Sequence, residues 1–573
     1  MPRANDLVET LLQEYADLMA ITGGDAFRVR TYDKAARSVG GYHADLSTLD
    51  EKGLQQIPNV GGSTAKKILE ILETGTFHQL EELREQVPAG VRQMTAVPGL
   101  GPKKAMVLFK DLHIGSVEEL ADAIQEGTLK GIKGFGEKTE ENILRGISLM
   151  QQSGGRALLG VAMDLAEEIV AELSAVRGCE KCQYAGSLRR MAETIGDIDI
   201  LVASRDAPSV MEAFVNLSYV ERVIASGETK TSIRTTKGLQ VDLRVIEPGV
   251  WGAALQYFTG SKAHNIRTRE IAVRKKLKLS EYGLFDAESG DLIVSETEED
   301  VYDRLGLPWI PPTLREDRGE IEAAQHGELP DLVQLGDIRG DLHTHTNLTD
   351  GLAPLGQMIE TARAMKYAYY AITDHAPNLY MQRMTDEKML AQRKELAKLA
   401  AREKMVLLHG TELNIDGEGG VDWGPEFLEG FDVCVASVHS LFNQSKEEMT
   451  RRIVRACENP FVNIIGHPTG RQIGGRPPVE FDLDEVFAAA ARTGTALEIN
   501  AFPDRLDLRD EHVRLAREAG VAVVVNTDAH SVRGLGNMEL AVRTARRGWA
   551  EPEDIVNTRP LEEILARRFG ALS

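Results

Sequence analysis

Cysteine is scarce: four in 573 residues leave no room for a disulfide framework, so the chain reads as built for a reducing compartment. Cys179-x-x-Cys182 lacks a second pair and lies on an apolar, strand-like run, which favours core over zinc. Long apolar runs are missing too. None approaches the roughly 20 residues needed to cross a bilayer, and the opening Met1-Pro-Arg-Ala-Asn-Asp6 carries no signal-peptide pattern. The expected location is cytoplasmic, with no membrane partner. Positive charge is the minority: 66 Lys and Arg against 88 Asp and Glu, a net charge of −22. That excludes a protein that grips nucleic acid through its overall charge, but not one that uses local basic patches, and metal-holding carboxylates would inflate the acidic count. The length exceeds what one core supports and implies roughly three to five domains.

What is present begins with carboxylates. Gly186-Ser187 is followed, ten residues after the serine, by Asp197-Ile198-Asp199, and Asp242 lies on a later run, Gln240-Val-Asp-Leu-Arg-Val-Ile246. Ile198-Asp-Ile-Leu-Val202 is β-branched and alternating, so it reads as a strand. Period-two geometry puts Asp197 and Asp199 on one face, where Asp242 from a neighbouring strand can join them. Three convergent carboxylates repel unless cations bind, and hard oxygen ligands suit Mg²⁺. Two such ions about 3.5–4 Å apart activate an attacking hydroxyl and stabilise a departing phosphate. Gly186-Ser187 forms a tight turn whose backbone N–H groups suit phosphate oxygens. The bland alternative, a solvated strand end, explains an isolated Asp-x-Asp but not the turn and the third aspartate together.

On these residues the chain resembles the family X DNA polymerases. Gly186-Ser-Leu-Arg-Arg190 looks like the family's triphosphate-binding turn, which implies phosphate contacts for Ser187 and Arg190. Tyr257-Phe-Thr-Gly-Ser261 is similar to its nucleotide-pocket motif, with Tyr257, Phe258 and Gly260 bordering the incoming sugar. Asn265 and Arg269 fall at its minor-groove positions, and Ser280-Glu-Tyr-Gly-Leu284 fits its last subdomain. Gln240 departs from relatives that carry arginine there. Lys262, Arg267, Arg269, Arg274, Lys275, Lys276 and Lys278 stand against Glu270 alone; after a nucleotide-pocket motif, such a run favours phosphate-backbone contact over a merely solvated face.

Upstream, Ile57-Pro-Asn-Val-Gly61, Val97-Pro-Gly-Leu-Gly101 and Ile132-Lys-Gly-Phe-Gly136 each precede a helical run containing lysine. The repeat resembles the helix-hairpin-helix motif, implying DNA-backbone contacts at Gly61, Gly99, Gly101, Gly134 and Gly136. Its hairpin needs a positive φ, and Asn59, replacing the first glycine of the first copy, tolerates one. Lys67 occupies a plausible position for Schiff-base lyase chemistry, but Ser63 replaces a lysine of active relatives and a solvated helix lysine is the preferred reading.

From about residue 340 the chemistry changes. His343, His345, Asp350, Asp374-His375, Glu412, His439, His467, Asp528 and His530 recur, most of them after apolar β-like runs such as Tyr369-Tyr-Ala-Ile-Thr373 and Val521-Ala-Val-Val-Val525. Repeated βα units with polar residues at strand C-termini suggest a parallel barrel carrying its site on that face. Imidazole mixed with carboxylate suits Zn²⁺, Mn²⁺ or Fe²⁺, and Glu412 is placed to bridge two ions. The stretch resembles the PHP (polymerase and histidinol phosphatase) phosphoesterases. The resemblance implies a three-ion centre, with Mn²⁺ or Zn²⁺, held by His343, His345, Asp350, His375, Glu412, His439, His467, Asp528 and His530. Asp374 is expected to orient the adjacent histidine, and Arg471 and Arg476 to hold substrate phosphate or lie in surface salt bridges.

The expected organisation is multidomain α/β. A helical domain (1–85) with the first helix-hairpin-helix precedes a fingers-like domain (86–150) with two more. Then come an α+β nucleotidyltransferase palm (151–246), a nucleotide-selection subdomain (247–318), a linker (319–337) and a distorted parallel (β/α) barrel of PHP type (338–573). The resemblances imply a monomeric repair polymerase using dNTPs on gapped or primer-template DNA. Two Mg²⁺ ions would sit on Asp197, Asp199 and Asp242, with Asp242 taking the primer 3′-OH proton, and the second centre would act as a 3′–5′ exonuclease, 3′-end processor or abasic-site endonuclease. The alternatives are a DNA-binding scaffold with an inactive polymerase core and an active PHP phosphoesterase, and a small-molecule phosphatase.

Overall fold

The computed structural model describes residues 4–42, 44–95, 97, 100–125, 128, 129, 132, 135, 136, 139, 140, 143, 144, 147, 156–379 and 382–566. It divides into two compact units, each assembled from separate stretches of chain. The first comprises Met1–Ser153, Arg339–Val486 and Asn526–Asn537; the second comprises Gly154–Ile338, Phe487–Val525 and Met538–Ser573.

The first unit opens with helices. Ala4–Ile21 and Ala26–Gly40 are separated by Asp25, whose carboxylate accepts from the Phe27 and Arg28 N–H groups and so caps the second helix. Tyr15 packs edge-on against Tyr32 and Phe77, with ring centroids 4.8 and 5.0 Å away. Asn59 has a φ of 63°, the left-handed conformation expected of the first hairpin. Gly61 then caps helix Gly62–Thr74, and Gly101 caps Pro102–Leu112.

The first unit also holds five parallel strands: Gly340–Asp341, Tyr369–Ile372, Val406–Asn414, Val433–Ser437 and Ile464–Ile465, each paired with the next. Every residue of Tyr369–Ile372 and Val433–Ser437 is buried, as parallel strands covered on both faces require. Ala496–Asn500 and Val523–Asn526 complete a seven-stranded sheet whose spatial order equals its chain order. Helices such as Leu355–Ala364, Asp386–Ala400 and Lys446–Glu458 alternate with the strands. Beyond the last strand, Ala529 bridges Thr344, and His345 N–H donates to the Ala529 carbonyl at 2.9 Å. The chain leaving the last strand thus meets the chain leaving the first, giving a nearly closed parallel barrel.

The second unit contains a five-stranded sheet in the order Cys179–Tyr184, Asp197–Ser204, Gln240–Ile246, Lys230–Thr235, Val220–Ser226. Only its central pair is parallel. Cys179 and Cys182 lie on the edge strand, both free and only partly buried, so the core placement expected for them is not met. Helices Trp251–Thr259 and Lys262–Arg274 lead to three short antiparallel strands and helix Glu298–Leu305. The stretch read as a linker carries a helix, Glu320–His326, with Glu320, Ile321, Ala323 and Ala324 buried. No described helix is long and apolar enough to cross a membrane.

Candidate active sites

The first candidate site stands on the parallel central pair of the five-stranded sheet. Asp199 is in register with Asp242, and Asp197 with Gln240, so the three carboxylates occupy adjacent strand positions. Burial first, then the charges of Asp197 and Asp242, push the Asp199 carboxyl up to about 7. Asp242 behaves differently: burial would raise it, but the Lys230 ammonium (2.8 Å from Oδ2) and the Gln240 amide (2.8 Å from Oδ1) hold it below the ordinary carboxylate range. Among the described residues the trio does not close into a set of ligand atoms within 4.8 Å of one another, as three groups in the barrel do. The carboxylate oxygens suit a hard cation, which would offset both the burial of Asp199 and the repulsion from its two neighbours.

Gly186, with a φ of 59°, opens the short helix Gly186–Arg189, and a Cβ there would collide with Asp199 Oδ2. The turn therefore lies directly against the carboxylate only because residue 186 has no side chain. Ser187 follows it on the same turn and is half-buried. Arg190 is half-buried, its Nη1 donating to the Thr259 carbonyl at 2.6 Å and its Nε to Glu316 at 3.0 Å. Gly260 sits beside it: a Cβ at Gly260 would lie 3.2 Å from Arg190 Nη1. Tyr257 and Phe258 meet edge to face at 5.2 Å, and the Arg244 guanidinium lies 4.7 Å from the Phe258 ring centre. Asn265 spends its amide internally, accepting from Gln256 at 2.9 Å and donating to the Tyr257 carbonyl at 2.7 Å. Arg269 Nε donates to the Asn265 carbonyl at 3.0 Å. Beneath the turn, Arg189 forks onto both Glu298 oxygens at 2.8 Å, and Arg315 adds a third bond at 2.7 Å. Burial would raise Glu298, but Arg315 and Arg189 hold it well below the ordinary carboxylate range.

Of the hairpin glycines, Gly61, Gly101 and Gly136 each have open space where a Cβ would stand. Thr139 and Glu140 N–H groups bond back to the Gly136 carbonyl, as at a helix start. Gly99 and Gly134 lie outside the described residues. Lys67 lies 3.5 Å from Ser63 Oγ and about 6 Å from the ring centres of Tyr15, Tyr32 and Phe77.

The second candidate site gathers around Glu412. Its Oε1 lies 3.1 Å from His439 and 3.0 Å from His467; its Oε2 lies 2.9 Å from His375 and 3.5 Å from both His343 and His345. Asp528 Oδ1 stands 3.2 Å from His345 and 3.6 Å from His343. Asp350 stands 3.3 Å from His375 and 3.4 Å from His530. Three groups have ligand atoms close enough to hold an ion: His345, Asp350, His375 and His530; His343, His345 and Asp528; His375, Glu412 and His439. Neither ring nitrogen of the fully buried His345 meets hydrogen-bond geometry with a neighbour, a cost that metal ligation removes. Burial, then His530 and His375, keep its pKa low and its imidazole neutral, the ligating form. Burial alone would raise Glu412; His439, His375 and His343 hold it far down. The donor set fits metal ions, and the barrel carries these clusters at its strand ends.

Asp374 is not bonded to the adjacent histidine as expected. It accepts from Thr346 N–H and Oγ1 (2.8 and 2.6 Å), Thr349 (2.7 Å) and Gln392 (2.5 Å), fixing the loop that brings in Asp350. Three residues escaped sequence reasoning. Asn414 Oδ1 lies 2.8 Å from His439 Nδ1, while Asp422 accepts from the Asn414 backbone at 2.6 Å; the only available signal was that Asn414 follows Glu412 by two on one strand and so shares its face. Asp341, buried and pushed up to about 7 chiefly by burial, accepts from the His343 N–H and from Thr527 Oγ1 (2.5 Å). Arg476 lies 3.9 Å from the Phe442 ring centre, and Arg471 is buried.

Comparison with known proteins agrees with both halves. Family models match a helix-hairpin-helix domain at residues 3–77, a SAM-like helix-hairpin-helix tandem at 91–148, a DNA polymerase beta thumb at 254–316 and a PHP domain at 341–501. The chain is 37% identical over 560 residues to the DNA polymerase/3′-5′ exonuclease PolX of Bacillus subtilis (strain 168), covering 97% of this chain and 98% of that protein. It is 25% identical over 321 residues to rat DNA polymerase lambda, spanning 51% of this chain and 53% of that protein. A probable phosphatase of Thermoanaerobacter sp. (strain X514) matches at 30% over 235 residues, 38% of this chain and 89% of that protein. With its hairpin repeats, polymerase thumb and metal-clustering barrel in one continuous match, the chain belongs to the bacterial PolX family of DNA polymerase/3′-5′ exonucleases.

Proposed function

We propose that the protein fills short gaps in DNA during repair and trims 3′ ends at a separate centre. The observation that carries the first half is the register of Asp199 beside Asp242 with the Gly186 turn packed on Asp199. Ser187 and Arg190 would bind the triphosphate, Tyr257, Phe258 and Gly260 would border its sugar, and Asn265 and Arg269 would flank the new base pair. Asp242 would take the primer 3′-OH proton. For that, Lys230 has to leave Oδ2, so the Lys230–Asp242 pair is the resting arrangement. The hairpin glycines would hold the DNA backbone through exposed N–H groups.

In the barrel, the shared position of Glu412 among five imidazoles supports a phosphoesterase acting on 3′ nucleotides, 3′ phosphates or abasic sites. Mg²⁺ on the aspartate trio and three Mn²⁺ or Zn²⁺ ions in the barrel would supply Lewis acidity and, in the barrel, a hydroxide near neutral pH. His345, kept neutral by burial, and Glu412, kept anionic by its neighbours, are in the protonation states such ions need. Labelled dNTP incorporation on a gapped duplex tests the first half. A scaffold with an inert core gives no product with any divalent metal, and a preference for small phosphate monoesters over 3′-ended DNA would favour the phosphatase reading of the barrel.

A further inference from the structure

Arg190 is held from a distant part of the chain. Arg547 Nη1 donates to the Arg190 backbone carbonyl at 2.6 Å, across 357 residues of sequence, and to Glu316 Oε1 at 2.9 Å. That same Glu316 oxygen accepts from Arg190 Nε at 3.0 Å. One carboxylate is therefore shared by two guanidinium groups, and one of these is the proposed triphosphate ligand. Arg547 ends helix Met538–Arg547, beyond the last barrel strand, and its side chain is 9% exposed. Asp510 anchors its other face, at 3.0 Å from Nε and 2.9 Å from Nη2.

The loop bearing Glu316 is itself fixed. The Asp317 and Arg318 N–H groups donate to buried Glu320 at 2.9 and 2.7 Å, and Arg318 reaches Asp510 and Glu511 at 3.1 and 3.0 Å. Burial holds Glu316 and Arg190 together where screening is weak. Arg547 draws on the Glu316 charge, so Arg190 keeps part of its own for an incoming anion. Without Arg547, Glu316 closes on Arg190 alone and competes with phosphate, and the turn carrying Ser187 loses its tie at the Arg190 carbonyl.

We infer that Arg547 is a positioning residue for nucleotide binding: by fixing the Arg190 carbonyl and sharing Glu316, it makes affinity for the incoming dNTP depend on a helix outside the polymerase core. The inference rests on reading Arg190 as a triphosphate ligand. It is tested on the full-length protein by single-nucleotide gap filling at varied dNTP concentration, with exonuclease activity and thermal melting measured in parallel. Arg547→Ala raises KM for dNTP about tenfold, the size of a lost charge-assisted bond, with kcat and exonuclease activity within about twofold of the parent. Arg190→Ala raises KM at least as much, and the double variant is no worse than Arg190→Ala alone, because Arg547 acts through Arg190. If Arg547→Ala does not fold, Arg547→Lys, which keeps the charge but not the fork, carries the test with an intermediate rise in KM. A parental KM in the folded Arg547 variants, or full additivity in the double variant, overturns the inference. A parental KM in Arg190→Ala overturns the reading on which it rests instead.

Discussion

The two candidate sites meet one electrostatic problem in opposite ways. In the sheet, like charges are set side by side: Asp199 is pushed up to about 7 by burial and by two neighbouring carboxylates, and Asp242 is quieted by Lys230 and Gln240. In the barrel, unlike groups interleave: five imidazoles surround Glu412, and carboxylates stand between histidines. The first arrangement awaits cations to become stable; the second is already assembled from mutually attracting donors. On the proposed reading, the trio takes up its ions with each nucleotide and releases them with pyrophosphate, whereas the barrel's interleaved donors keep theirs between turnovers.

The largest expected effects separate the two centres outright. Glu412→Gln should lower 3′–5′ exonuclease activity by about 10³-fold or more, because both of its oxygens serve several ligands; metal content by mass spectrometry should fall with it, while gap filling persists. Asp199→Asn should do the converse, cutting dNTP incorporation by about 10³-fold with exonuclease activity intact. Loss of both activities in either variant would break the comparison. Next, brief chelation and gel filtration should abolish extension at once and exonuclease slowly. Mg²⁺ alone should restore the first, and Mn²⁺ or Zn²⁺ the second; equal rates of loss would count against resident ions in the barrel. Asn414→Ala should cost the exonuclease about 10- to 100-fold by freeing the His439 ring, the usual penalty for losing a ligand's supporting partner, measured as activity against Mn²⁺ concentration.

The smallest effect concerns stability. Arg189 and Arg315 depress the folded pKa of buried Glu298 below its unfolded value. Its contribution is therefore fully present above about pH 4.5 and is lost as pH falls toward the folded value. Glu298→Gln should melt lower at neutral pH and show a flatter dependence of Tm on pH between about 5 and 3.

Much of this was legible in the sequence because the barrel repeats itself. A histidine or acid after each apolar run marks the same strand end again and again, and closure of the barrel brings those ends together. Strand period placed Asp197 and Asp199 on one face and allowed Asp242 to join them, but the register that sets Asp199 beside Asp242 came only with the paired strands. What escaped depended on partners far apart in the chain. Glu320 falls in the stretch read as a linker and Arg315 stands just before it, yet both are fully buried, since the Arg315–Glu298 ion pair and the hydrogen bonds Glu320 accepts from His264, Asp317 and Arg318 meet the desolvation cost. Asp422, eight residues beyond Asn414, announces itself by no local pattern. Cys179 and Cys182 were misread because their strand, Cys179–Tyr184, carries Glu180, Lys181 and Gln183 and lies at a sheet's edge, with one neighbour strand instead of two.

The contact of Gly186 with Asp199 carries one more consequence. Where nothing but hydrogen fills the space between a phosphate-gripping turn and a cation-gripping acid, even alanine would pry them apart by about the width of a methyl group. Any drift at residue 186 should therefore damage substrate grip and ion grip in the same stroke, so that at this one position neither can be tuned without the other.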